Sequence, residues 1–272
     1  MDTLLLLKAL ILGLVEGATE FLPVSSTGHQ IIVADFLAFT GERAKTFEIF
    51  IQLGAILAVV WHYRARIAHV LGTLGSESAS RRLLLNLAIA FLPAAVLGLA
   101  FSKAIKEHLF NPVSVASALV AGGFVILLIE RRNARPTVRE VDAISGRTAL
   151  MIGLAQCFAL FPGVSRSGST IMGSLLCGLS RPAATEFSFF LSIPTMFAAT
   201  LYSLYKARDV LSMADVPTFG VGFVAAFISG LIVVRLFLAY VSKHSFIPFA
   251  WYRIALGALL LLYFQFHPWV GE

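Results

Sequence analysis

Two short polar motifs interrupt a chain otherwise made of long apolar stretches, and that combination restricts the fold more than any other feature. Apolar runs at about 46–63, 83–101, 112–130, 185–205, 218–240 and 250–267 are each long enough to cross hydrocarbon. They are hydrophobic all round rather than along one stripe, which argues against a large soluble all-α core. Only 13% of the 272 residues are charged, against about 25% in an ordinary soluble domain, and the mean hydropathy is +0.86. The expected fold is therefore an all-α integral membrane protein.

The two remaining segments, about 3–37 and 147–178, are broken. The first contains GLVEGATEFLPVSSTGH from Gly13 to His29. Glu16 and Glu20 stand four apart, on one helix face. Pro23 lacks an N–H and disfavours the α region at Leu22, so the helix must stop there. Ser25, Ser26, Thr27 and Gly28 then supply capping residues for a second helix entering Ile31-Ile32-Val33. Its free N–H groups and positive dipole end face the gap, the setting of an anion site. Broken backbone of this kind is tolerated at membrane depth only against protein or a water-filled cavity, so each segment reads as a re-entrant helical hairpin.

The halves repeat at one constant offset. Gly13, Leu14, Phe21, Val24, Ser25 and Gly28 match Gly153, Leu154, Phe161, Val164, Ser165 and Gly168 without a gap, and Ala44, Phe47 and Phe50 match Ala184, Phe187 and Phe190. The expected organisation is a first repeat over 1–130, a basic linker over 131–146 and a second repeat over 147–272, within one structural domain. Each repeat holds one re-entrant hairpin and three crossings. Three is odd, so the second copy sits upside down, an inverted-topology repeat. Arg64, Arg66, Arg81 and Arg82 in one loop and Arg131, Arg132, Arg135 and Arg139 in the linker, with Arg147 just after it, fall on the same side of this topology. Assigning that side to the cytoplasm places both termini outside.

A net charge of +6 does not point to nucleic acid here, because the arginines sit in loops beside apolar spans, where orientation and anionic lipid account for them. Residues 1–30 lack a basic n-region and a small-residue cleavage site, so no removable signal peptide is expected. Cys157 and Cys177 have no framework spacing and read as small packing residues. His62, His69, His108, His244 and His267 show no ligand spacing and are assigned no role.

The two polar motifs have diverged in charge while keeping the turn. The second reads GLAQCFALFPGVSRSGST from Gly153 to Thr170, so Glu16 becomes Gln156, Glu20 becomes Leu160, Ser26 becomes Arg166 and His29 becomes Ser169. Arg166 beside Ser165, Ser167, Gly168 and Thr170 offers a guanidinium fork, hydroxyls and free backbone N–H groups to a phosphate or diphosphate. Glu16 and Glu20 are oxygen ligands suited to a divalent cation, Mg²⁺ or Ca²⁺, bridging to substrate phosphates. Ser26 and His29 supply a nucleophile and a proton-transfer group. Ionisable side chains at membrane depth are costly, which makes the cluster a functional candidate.

The Glu16-x-x-x-Glu20 pair, PVSSTGH through His29, PGVSRSGST from Pro162 and TFEIFIQLGAILAVV from Thr46 together resemble the undecaprenyl-diphosphatase family, the bacterial bacitracin-resistance membrane enzymes. The resemblance runs the whole chain. It implies hydrolysis of undecaprenyl pyrophosphate to undecaprenyl phosphate and inorganic phosphate, recycling the lipid carrier for cell-wall synthesis. It further implies the cytoplasmic (inner) membrane, a site facing its outer side and a homodimer. By the same resemblance Glu16 and Glu20 are catalytic or metal-binding, Arg166 holds the pyrophosphate, and Ser26 and His29 do the covalent or proton-transfer work. Either Ser26 with His29 as proton relay, or His29 itself, is the nucleophile.

Blander readings stand beside these. Glu16 and Glu20 could snorkel to an interface, and Ser26, His29, Ser165, Ser167 and Thr170 could serve only as caps. Glu48 and Gln52 could support the carboxylates or simply bond between helices. A lipid flippase or ion-coupled secondary transporter uses the same inverted-repeat scaffold, and fold alone does not separate it from an enzyme. A passive structural membrane protein leaves the buried charges unexplained.

Overall fold

The computed structural model describes residues 3–109, 111–132, 135–206, 212 and 215–266. His267 and the chain ends, on which the expected placement of the termini bears, lie outside the described residues. The protein is an all-α, multi-pass membrane protein: among the described residues six helices are long and apolar enough to cross a bilayer.

The first half comprises α1 (Thr3–Thr19), α2 (Ser26–Phe36), α3 (Glu42–His62), α4 (Arg64–Gly72), α5 (Ser78–Leu109) and α6 (Pro112–Arg131). The second comprises α7 (Gly146–Gln156), a 3₁₀ turn at Cys157–Leu160, α8 (Arg166–Leu176), α9 (Arg181–Lys206), α10 (Val216–Val241) and α11 (Ile247–Phe266). The hairpin arms α2, α7 and α8 have 11 residues each, and 11 residues rise only about 16 Å against a core of about 30 Å. None can cross alone.

Several boundaries differ from the sequence reading. The 64–82 loop contains α4, whose Val70 is buried, and α5 starts at Ser78 and runs well past 101. Helices extend beyond the hydrocarbon where polar residues such as Arg81 and Arg82 keep good helix propensity, which hydropathy does not register. The linker is also docked: Thr137 N donates to Gly178 O at 2.9 Å and Ser180 N to Val138 O at 2.8 Å. Ile144 is fully buried, and Asn86 Nδ2 donates to its carbonyl at 2.8 Å.

The packing that positions the hairpins exchanges partners between halves. α1 lies against α10, α7 against α5, and α6 against α11. Without an apolar driving force between helices in lipid, close approach depends on small residues. Gly13 of α1 and Gly153 of α7 both provide it: a Cβ at Gly13 would stand 2.9 Å from Ala225 Cβ, and one at Gly153 2.6 Å from Ala90 O. Gly13 and Gly153 are also partners in the sequence repeat.

Candidate active site

The two turns meet at a contact between Glu20 and Arg166. α1 ends at Thr19, and a turn carries the chain through Pro23 to Ser25, the N-cap of α2. In the second hairpin the chain turns through Gly163, at φ 89°, to Ser165, the N-cap of α8. Both caps hold a positive φ unusual for a side-chain-bearing residue, 68° at Ser25 and 79° at Ser165. Each hydroxyl accepts from the amide three residues on, Gly28 N at 3.4 Å and Gly168 N at 3.0 Å. Such strain persists only where the surroundings hold it, and it clusters at functional sites.

Glu20 is the hub. Ser26 Oγ donates to its Oε2, while Arg166 Nε and Nη2 both donate to Oε1 at 3.3 Å. The Arg166 and Glu20 side chains are 11% and 8% exposed, so the ion pair is largely withdrawn from solvent. Arg166 Nη1 donates to Ser188 O at 3.1 Å, and its guanidinium carbon stands 6.0 Å from the centre of the buried Phe21 ring.

A cavity of about 960 Å³ opens on this pair. Glu20, Ser25, Ser26, Thr27, Ser165 and Arg166 line it, as do Gln52, Gln156, Lys45 and Lys206. It thus receives two helix N-termini, three cationic side chains and one hydroxyl held on a carboxylate. That arrangement suits a multiply charged phosphate ester.

Other residues singled out in the sequence stand behind this front. Glu16 is 1% exposed and its charged neighbours include Glu20 and Glu48. Gln30 Nε2 donates to its Oε2 at 3.2 Å, and Glu16 Oε1 is buried with no hydrogen-bond partner among the described residues. Ser167 Oγ donates to Leu22 O at 2.7 Å, tying the second helix start to the first turn. Thr170 Oγ1 meets Ser188 Oγ at 2.6 Å, and Gly28 and Gly168 give their amides to the caps. Among the described residues no three His, Cys, Asp or Glu side chains converge as a ready-made metal cage. The unclaimed Glu16 oxygen beside Glu20 is nonetheless a donor set compatible with a hard divalent cation whose remaining ligands come from phosphate and water.

His29 does not line the cavity. Its Nδ1 lies 2.8 Å from Ser25 O, which can only accept, so Nδ1 carries the proton. In the neutral ring Nε2 then accepts from Tyr252 Oη at 2.6 Å, with the two rings stacked. Both ring nitrogens are engaged away from Ser26.

Tyr252 and its neighbour Arg253 were missed by sequence reasoning. Arg253 is 1% exposed and donates to four backbone carbonyls: Pro23 at 3.1 Å, Gly163 at 3.1 Å, Ala118 at 3.2 Å and Leu119 at 3.3 Å. One guanidinium therefore joins both hairpin turns to α6, and Gly122 of α6 leaves it room, since a Cβ there would run into Arg253. The available signal was a lone arginine inside the apolar run Ile247–Phe266, which is costly unless satisfied.

Comparison with known proteins identifies the family. The family described as bacitracin resistance protein BacA matches residues 9–259. An undecaprenyl-diphosphatase of Dechloromonas aromatica is 58% identical over 270 residues, covering 99% of this chain and 98% of its own length. An undecaprenyl-diphosphatase of Nitrosospira multiformis is 58% identical over 262 residues, covering 96% of each. An undecaprenyl-diphosphatase 2 of Pseudomonas fluorescens is 56% identical over 271 residues, covering 100% of this chain and 98% of its own. On a match of this extent, with the turns of both hairpins inside it, the chain belongs to the bacitracin resistance protein BacA family.

Proposed function

We propose that this membrane protein hydrolyses undecaprenyl diphosphate to undecaprenyl phosphate and inorganic phosphate, and thereby confers bacitracin resistance. The observation that carries the mechanism is that the Glu20 carboxylate holds the Ser26 hydroxyl on one oxygen and the Arg166 guanidinium on the other. Ser26 Oγ attacks the terminal phosphorus as its proton passes to Glu20, and the bond to the bridging oxygen breaks, releasing undecaprenyl phosphate. Glu20 passes that proton to the departing phosphate oxygen, and its freed carboxylate then deprotonates the water that hydrolyses the phosphoserine, returning the proton to Ser26 Oγ as inorganic phosphate leaves. Arg166 turns from Glu20 to the equatorial oxygens, where charge spreads in the transition state. Ser25, Thr27 and Ser165 at the two helix starts orient the diphosphate, while Gly28, Ser167, Gly168 and Thr170 hold those starts in place. His29, bonded to Ser25 O and Tyr252, acts as a positioning residue for the strained cap rather than as the nucleophile.

Glu16 and Glu20 would hold Mg²⁺ or Ca²⁺, which supplies charge neutralisation of the diphosphate. The carrier alternative is disfavoured by the residue set and by the relatives' names, since reversible binding has no use for a hydroxyl held on a carboxylate.

The reading extends to placement. Arg66 pairs with Asp142, which puts the α3–α5 loop and the linker on one face. Lys45 near the start of α3 and Lys206 at the end of α9 lie at the opposite helix ends, at the cavity. The positive-inside rule then supports a cavity facing the outer side of the bacterial inner membrane, with both termini outside. The functional unit is read as a homodimer.

Phosphate release from undecaprenyl diphosphate by purified protein in detergent, with and without a divalent cation, tests the activity. A rapid-quench adduct that is acid-stable and base-labile is expected from Ser26. An acid-labile, base-stable adduct would move the nucleophile to His29.

A further inference from the structure

A second recess of about 610 Å³ lies on the outer wall of the cavity, between α5 and the α7 hairpin arm. Leu97 and Phe101 of α5 face Leu154 and Phe158, and Leu160 and Phe161 close its inner end. Among the described side chains none that is charged or bears a hydroxyl or amide lines it. Leu160 and Phe161 also line the phosphate cavity, and among the described residues they are the ones common to both spaces. Opposite them stands Gly98 of α5, which lines the cavity and where a Cβ would come within 3.3 Å of Leu160 Cδ2.

The other cavity walls are poorer exits for hydrocarbon. The α3 wall carries Lys45, Thr46 and Gln52, and the α9 wall mixes apolar residues with Thr195, Ser203 and Lys206. By contrast, the α5 wall presents Phe91, Ala94, Ala95, Gly98 and Leu99 and leads to Leu160 and Phe161. Beyond them Phe158 and Phe101 are 65% and 54% exposed, on the surface that meets acyl chains. A polar headgroup and an apolar chain joined by one phosphate oxygen need adjoining spaces of these two characters.

We propose that the recess between α5 and Leu154–Phe161 is the binding groove for the polyprenyl chain of the substrate, entered past Leu160 and Phe161 while the diphosphate sits at Arg166. The inference rests on the phosphatase reading above. It makes chain length a determinant of turnover, because only a chain longer than the cavity gains contact with the groove.

The test compares kcat/KM for undecaprenyl diphosphate with that for isopentenyl diphosphate, whose single isoprene unit ends inside the cavity. In Phe158→Asn and Leu154→Asn the preference for the long substrate is expected to fall about tenfold or more, the effect of losing the burial of about two methylenes. Phe158→Ala, which adds no polar group, guards against misfolding and is expected to shift the preference in the same direction. Leu128→Asn on α6, at a position 67% exposed and outside both spaces, is expected to leave the preference alone. An unchanged preference in all three groove variants, or an equal fall in Leu128→Asn, overturns the groove. Wild-type protein that hydrolyses neither substrate overturns the phosphatase reading and the groove with it.

Discussion

The two hairpin turns share one backbone plan and carry opposite chemistry. At Ser25 and Ser165 the same positive φ and the same bond to an amide three residues on start α2 and α8. At the next position Ser26 in one turn corresponds to Arg166 in the other, and both side chains reach the single carboxylate of Glu20. Residues that hold the plan recur between halves, as Gly13 and Gly153 do against their helices. Elsewhere the two motifs differ. Gln156 makes bonds at both ends of its amide, to Ala90 O and Thr195 Oγ1, whereas Glu16 in the equivalent place keeps one oxygen unclaimed. The two motifs thus differ where a side chain does not hold the turn, and together they offer a donor and an acceptor that either motif twice over would not.

The largest expected effect removes what both turns share. Arg253→Met takes the donor from the Pro23 and Gly163 turn carbonyls at roughly 1–3 kcal/mol for each left unsatisfied, while the Ala118 and Leu119 carbonyls keep their places in the α6 ladder, so a loss of about 2–6 kcal/mol is expected in thermal unfolding in detergent. A variant as stable as wild type would mean the turns hold together without the clamp. Next comes the difference between them. Arg166→Lys keeps the charge and loses the bidentate fork, and a fall in kcat/KM of about 10²–10³-fold is expected, as for loss of one transition-state donor. Wild-type turnover would remove Arg166 from the chemistry.

The smallest effect probes the common cap. Glycine relieves the positive φ while forfeiting the cap, so Ser25→Gly is expected to change stability by less than about 1 kcal/mol in either direction. Ser165→Gly also loses the 3.0 Å contact with Ser167 and is expected to cost about 1 kcal/mol more. The reverse order would show that the first turn relies on its hydroxyl for more than capping.

Much of this was legible beforehand. Pro23, the three hydroxyls after it and the alignment of Ser25 with Ser165 marked both breaks and both helix starts, because local steric and capping rules act within a few residues. Docking of the linker and the role of Arg253 were not legible, since each depends on groups tens or hundreds of positions away, and α4 was not legible because hydropathy does not register the helix propensity of a polar stretch. His29 illustrates the limit best. It stands three residues from Ser26, which suggests a shared task, yet its ring turns to Tyr252, 223 positions on.

The sequence by itself determined that this chain lives in a bilayer, breaks twice at related polar turns, and carries acid in one and base in the other. Composition, proline and cap chemistry are local properties, and apolar length alone decides the solvent. Only the tertiary structure decided which charges meet: Glu20 with Arg166 and Ser26, Arg253 with four carbonyls, His29 with Tyr252. A buried charge in lipid must find a partner, and which partner is within reach depends on how helices from the two halves pack.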